Sequence, residues 1–132
     1  MTHSSASGSL RGLPAELVVS DPWDLVGENG SAHFEVEIVN VDTHADGAER
    51  ERALVRLQTP VIWQDRHFRH LVVQDRHGHG IVDELLAGRP VECSALGVTD
   101  EQAAGESPWG ADKWRGGLAA IGRLTVQQPG SF

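Results

Sequence analysis

The chain has 132 residues, of which 39% are hydrophobic, and it carries a formal net charge of −8 and a single cysteine, Cys93. This length suits one ordinary domain, the acidic balance argues against a nucleic-acid-binding face, and one cysteine excludes an intrachain disulfide. No stretch approaches the roughly 18 apolar residues of a membrane span, and the first residues lack the pattern of a signal peptide, so we expect no membrane partner and a cytoplasmic location.

Composition divides the chain into a central domain and two tails. Residues 1–13 are rich in serine and glycine and are expected to be a flexible tail. Residues 128–132 contain Pro129-Gly130 and are expected to be a second one. Between them, 14–127 is predicted to form a single β-rich domain, because short apolar runs alternate there with turn residues.

The first half of the domain has the periodicity of β-strands. A short apolar run covers 17–19, and 33–41 alternates, with Phe34, Val36 and Ile38 on one face. Apolar runs over 53–57 and 61–63 flank Pro60, which indicates that this strand lies at a sheet edge or ends there. A turn at 64–66 and a return strand over 67–74 complete a predicted hairpin.

The second half adds the only predicted helix. Residues 81–87 have an apolar side, acidic residues in the first turn, and a stop at Gly88 and Pro90. Strands are predicted over 91–98 and 118–126, and Thr99 to Gln102 has the capping-box pattern of a short helical turn. About six strands lying close in sequence, with one short helix, predict a mainly β fold: a small antiparallel β-barrel or sandwich.

Histidines concentrate around a repeated tetrapeptide, Gln64-Asp65-Arg66-His67 and Gln74-Asp75-Arg76-His77. Imidazole and carboxylate are ligands that zinc accepts. The candidate metal set is His67, His70, Asp75, His77 and His79. Zinc is the one cofactor that the sequence raises, and a polar turn with imidazoles facing solvent is the alternative.

Tryptophans in predicted loops supply a second candidate site. Trp23 and Trp109 each follow a proline, and Trp114 precedes Arg115. Loop tryptophans and arginines are frequent at protein interfaces, so Trp23, Trp109, Trp114 and Arg115 are predicted to contact a partner. In a chain without tyrosine they could equally anchor the core.

Catalytic motifs are missing from the sequence. Cys93 alternates with apolar Val91 and Ala95, which places its thiol on a buried and unreactive face. No Gly-x-Ser-x-Gly or phosphate-binding loop occurs. We therefore predict a small cytoplasmic, non-catalytic domain that binds a protein partner. The alternatives are a metal-dependent hydrolase or metal sensor built on the histidines, and a structural subunit that docks through an open strand around Pro60.

Overall fold

The computed structural model describes residues 10–21, 32–42, 51–76, 81–107, 109–110 and 118–126. Six strands are present in these ranges: β1 (Pro14–Asp21), β2 (Ala32–Asp42), β3 (Arg52–Trp63), β4 (Arg66–Asp75), β5 (Val91–Val98) and β6 (Ala119–Val126). Two short helices accompany them: α1 (Ile81–Leu86) between β4 and β5, and α2 (Asp100–Ala103) after β5.

The strands form a closed antiparallel barrel in which each strand pairs with the next along the chain. The barrel closes where β1 pairs with β6, from Ala15↔Val126 to Asp21↔Ile121. The predicted mainly β fold is confirmed, as a barrel and not a sandwich. We call the end where β3 turns into β4 the hairpin end, and the opposite end, where α1 lies between β4 and β5, the helix end.

Apolar side chains fill the barrel because inward and outward positions alternate along each strand. In β6, for example, Ala120, Leu124 and Val126 are buried, whereas Ala119 and Arg123 are exposed. The largest fully buried side chains of this cluster are Leu10, Leu17, Val19, Ile38, Val55, Val73, Ile81, Leu85, Leu118 and Leu124. The interior is therefore a packed core.

Helix α1 covers the helix end of the barrel. Its buried residues Ile81, Val82 and Leu85 join the barrel cluster. The carboxylate of Glu51, just before β3, accepts hydrogen bonds from the Ile81 amide and, at 3.0 Å, from the Val82 amide. These amides begin a helix and have no partner inside it. The sequence predicted the helix, but the distant residue that caps it could not be recognised.

Residues 10–13, which we expected to lie in the flexible tail, pack against β2. Leu10 is fully buried in the barrel cluster. The Gly12 amide donates to the Ile38 carbonyl at 2.7 Å, and the Ile38 amide donates to the Leu13 carbonyl at 3.0 Å. The packed structure therefore includes these four residues, and residues 1–9 lie outside the described ranges.

The predicted capping box forms at α2. The Gln102 amide donates to the Thr99 hydroxyl at 3.0 Å, and the Thr99 amide donates to the Gln102 side-chain oxygen at 2.9 Å. Two amides at the helix start are thereby satisfied by one pair of side chains. α2 then leads into a segment that packs on the outside of the barrel.

Candidate functional site

Trp109 belongs to the hydrophobic core and not to an exposed contact surface. Its side chain is only 3% exposed and packs in a small cluster with Leu54, Val72 and Val98. These partners face outward from β3, β4 and β5, so the segment after α2 covers them from outside the barrel. The prediction that Trp109 contacts a partner is therefore corrected by its burial.

The other three predicted contact residues, Trp23, Trp114 and Arg115, lie outside the described residues. The strand ends nearest to them are described. Asp21, at the end of β1, pairs with Ile121 near the start of β6. β1 therefore ends, and β6 begins, at the hairpin end.

The candidate metal residues on β4 do not come together. His67 lies at the hairpin end of the strand and Asp75 at the helix end. Eight residues of extended strand span roughly 26 Å, which one metal ion cannot bridge. Asp75 is 2% exposed, and its side chain points inward beside Cys93, whereas His70 faces outward, with Nδ1 3.1 Å from the Asp100 carboxylate.

The remaining ligands of that set, His77 and His79, fall outside the described ranges. Within the described part of the chain, no three His, Cys, Asp or Glu side chains form a cluster that could hold a metal ion. His70 instead connects α2 to β4 through Asp100. The five-residue metal set is therefore not assembled on β4.

Cys93 lies in the barrel interior, as its alternation predicts. Its thiol is fully buried and donates to the Gly122 carbonyl at 3.6 Å. Burial raises the pKa of the Cys93 thiol to about 12, and the neighbouring Asp75 carboxylate adds to the rise. A thiol held in its protonated form is a poor nucleophile.

We expect this thiol to make the protein less stable at alkaline pH. Because the folded state binds the proton more tightly than the unfolded thiol, whose pKa is about 8.5, the stabilisation is complete below that pH and is lost as pH rises toward 12. The free energy of unfolding should fall by up to about 1.4 kcal/mol per pH unit in that window. Urea unfolding at a series of pH values measures this slope.

The control for that titration is Cys93→Ala, which removes the thiol and should remove its share of the slope. Native wild-type protein should also resist iodoacetamide near pH 8, and unfolded protein should react. If the native thiol reacts as fast as the unfolded one, the buried environment assigned to Cys93 is wrong.

The tip of the β3–β4 hairpin is the most exposed apolar feature among the described residues. Ile62 is 63% exposed, more than any other large hydrophobic side chain described. Gln64 and Asp65 form the two-residue turn with φ of 51° and 62°, the left-handed geometry that Asn-Gly normally supplies. A non-glycine residue in this geometry costs conformational free energy, and such residues are frequent in functional segments.

Sequence reasoning missed this tip although a signal was present. Val61, Ile62 and Trp63 are three consecutive apolar residues before a turn. In a strand with one buried face, the middle residue of such a run must point the other way. Nearby, the Arg66 guanidinium lies over the Phe68 ring, 5.2 Å from its centre.

Strands β2 and β3 separate toward the hairpin end. Their pairing runs from Asp42↔Arg52 to Val36↔Leu57 and goes no further, although both strands continue. β3 leaves β4 over the same stretch, because the register jumps from Arg56↔His70 to Val61↔Phe68. Residues 58–60 thus pair with no described strand, consistent with the absence of an N–H on Pro60.

Two adjoining depressions lie along this separation. The larger, of about 380 Å³, is lined by Pro14, Glu37, Arg56 and their neighbours. The smaller, of about 160 Å³, is lined by His33, Phe34 and Glu35 of β2 and by Gln58 and Thr59 of β3. Glu35 and Gln58 line both. We call the depressions together the β2–β3 cleft, which is lined by residues 33–37 of β2, by Arg56, Gln58 and Thr59 of β3, and by Gly12, Pro14 and Ala15.

The rim of the cleft is acidic. Glu16 and Glu35 lie directly opposite each other on β1 and β2, an arrangement of like charges that costs stability. Glu16 contacts His33 Nδ1 at 3.0 Å, and Glu37 bonds to Arg56. Among the described side chains none pairs with the Glu35 carboxylate, so this rim keeps an unbalanced negative charge.

The described residues define an up-and-down antiparallel barrel of six strands, in which residues 58–60 of β3 pair with neither neighbouring strand. Comparisons of the chain with protein families, with curated proteins and with solved structures found no match in any of the three. None of the described helices has the length and apolar character needed to cross a membrane.

Proposed function

We propose that this protein is a small, non-catalytic interaction domain that binds a protein partner at the hairpin end of its barrel. One observation carries the proposal. Ile62 is 63% exposed at the hairpin end, and in the sequence Trp23 follows β1 and Trp114 precedes β6, two strands that pair at that end. Exposed apolar and aromatic side chains are enriched at the centre of protein interfaces.

The charge of the chain indicates the kind of partner. A net charge of −8 attracts basic surfaces and speeds their encounter with the domain. We further propose a bacterial cytoplasmic protein. The support for this is compositional: a single cysteine, a single lysine, and abundant alanine, glycine, arginine and valine.

The test is quantitative cross-linking of the full chain in its source cells, followed by mass spectrometry. Wild-type protein should capture one partner reproducibly, and Ile62→Asp, Trp23→Ala and Trp114→Ala should each lower its yield about ten-fold, as expected for interface hot spots. The matched control is Leu86→Asp, which makes the same change at an exposed residue of the helix end. Equal losses with Leu86→Asp, or no loss with any variant, would refute the proposal.

A further inference from the structure

We infer that the β2–β3 cleft binds an extended, basic segment of a partner protein, which adds to the edge of β2 as a further strand. This inference rests on the proposed function, since it specifies how a protein partner is held. Strand addition at an open sheet edge is a recurrent mode of peptide recognition, in which backbone hydrogen bonds supply affinity and alternate side chains supply specificity.

Backbone geometry shows which residues of β2 can receive such a strand. The Ile38 amide and carbonyl bond to Leu13 and Gly12, on the β1 side. Because backbone groups alternate sides along a strand, those of Val36 and Phe34 also face β1. The amide and carbonyl of His33 then face the cleft, beyond the last described pair of the two strands, Val36↔Leu57.

Strand β3, which forms the opposite wall of the cleft, is poorly suited to pair with an added strand. In β3 the unpaired stretch ends at Pro60, which has no N–H to donate. Gln58 and Thr59 line the cleft, but they belong to the stretch of β3 that is not paired with β4 either. The edge of β2 has no proline and keeps its donors, so we place the incoming strand on β2.

Side chains around the edge define the chemistry of the segment. One face of an added strand would lie beside Phe34, which is half-buried and packs against the barrel core. The other face would lie beside Glu35, whose carboxylate has no described partner and stands opposite Glu16. A lysine or arginine there relieves the repulsion between the two carboxylates. The favoured segment therefore alternates apolar and basic residues.

The probe for this inference is a fluorescein-labelled synthetic peptide of about six residues, the usual strand length, with alternating valine and lysine. Fluorescence anisotropy against the full chain should show saturable binding. A peptide with glutamate in place of lysine should not bind. A valine–lysine peptide N-methylated on every second amide should lose binding when the methyl groups fall on the pairing side.

Variants of the protein separate the backbone contribution from the charge contribution. His33→Pro removes one edge donor while leaving the pairing with β1, and it should weaken binding about ten-fold. The control variant His33→Ala keeps the N–H, and its affinity for the peptide should stay within about two-fold of the wild-type affinity. Glu35→Gln should weaken binding about three-fold. The matched Glu92→Gln, on β5 across the barrel, should have no effect.

Several outcomes would overturn the inference. One is equal binding of the N-methylated and unmodified peptides, which needs no protein variant to fold. Another is an equal loss with Glu35→Gln and Glu92→Gln, which would indicate only general attraction to an acidic protein. If Ile62→Asp loses the cellular partner but His33→Pro retains it, the proposed function stands and strand addition in the cleft is wrong.

Discussion

Replacing Gly122 by alanine is expected to lower the free energy of unfolding by about 3 kcal/mol, because it forces two strands apart. A Cβ atom at this position would lie 2.2 Å from the Val18 carbonyl oxygen and 3.0 Å from the Val19 Cα. Both obstacles are backbone atoms of β1, so no side chain can rotate away to make room. Urea unfolding followed by circular dichroism measures the loss.

The matched control for Gly122 is Gly105→Ala. There the new Cβ would lie 3.4 Å from the nearest atom, the Gln102 carbonyl oxygen, at the end of α2, and stability should change by less than about 0.5 kcal/mol. A Gly122→Ala protein as stable as this control would show that β1 and β6 are not in close contact.

Truncating Trp109 to alanine should cost about 3 kcal/mol, the usual loss for a large buried aromatic side chain. The ring packs on Leu54, Val72 and Val98 outside the barrel, so we expect the segment 99–110 to detach before the barrel unfolds. Hydrogen exchange should show lost protection in that segment, and denaturation should show the drop in stability. Trp109→Phe, which keeps an aromatic ring, should cost much less.

The same variant decides between two roles for this tryptophan. If Trp109→Ala left stability and hydrogen exchange unchanged and instead abolished capture of the partner, the side chain would be a contact residue, as its loop position first suggested. A loss of stability with the partner retained agrees with its 3% exposure.

Periodicity predicted most of the elements because alternating burial is a local property. The strand over 33–41, the strand over 91–98 and the helix at 81 all lie within a few residues of their observed positions. β1 was predicted only at 17–19, since Ala15 is too small and Pro14 too unusual in a strand to extend the pattern. The boundaries of the domain were predicted from composition alone, and composition does not indicate that Leu10 is buried.

The candidate sites were harder to predict because they depend on which strands pair and where pairing stops. The repeated tetrapeptide suggested a cluster of metal ligands, but His67 and Asp75 lie at opposite ends of β4. The burial of Trp109 had a readable signal: Leu54 and Val72 sit in continuous apolar runs, which indicate strands covered on both faces. The β2–β3 cleft arises from a loss of register, and only Pro60 indicated it.

The pairing of β1 with β6 gives the barrel a particular order of assembly. Every other ladder joins strands adjacent in the chain, so its two strands are closer in sequence than β1 and β6 are. The β1–β6 ladder joins the two ends of the domain and carries the largest loop-closure entropy. A ladder that forms last is absent from the folding transition state, so weakening it accelerates unfolding and leaves the folding rate nearly unchanged. We therefore expect changes that weaken the β1–β6 ladder to shorten the lifetime of the closed barrel.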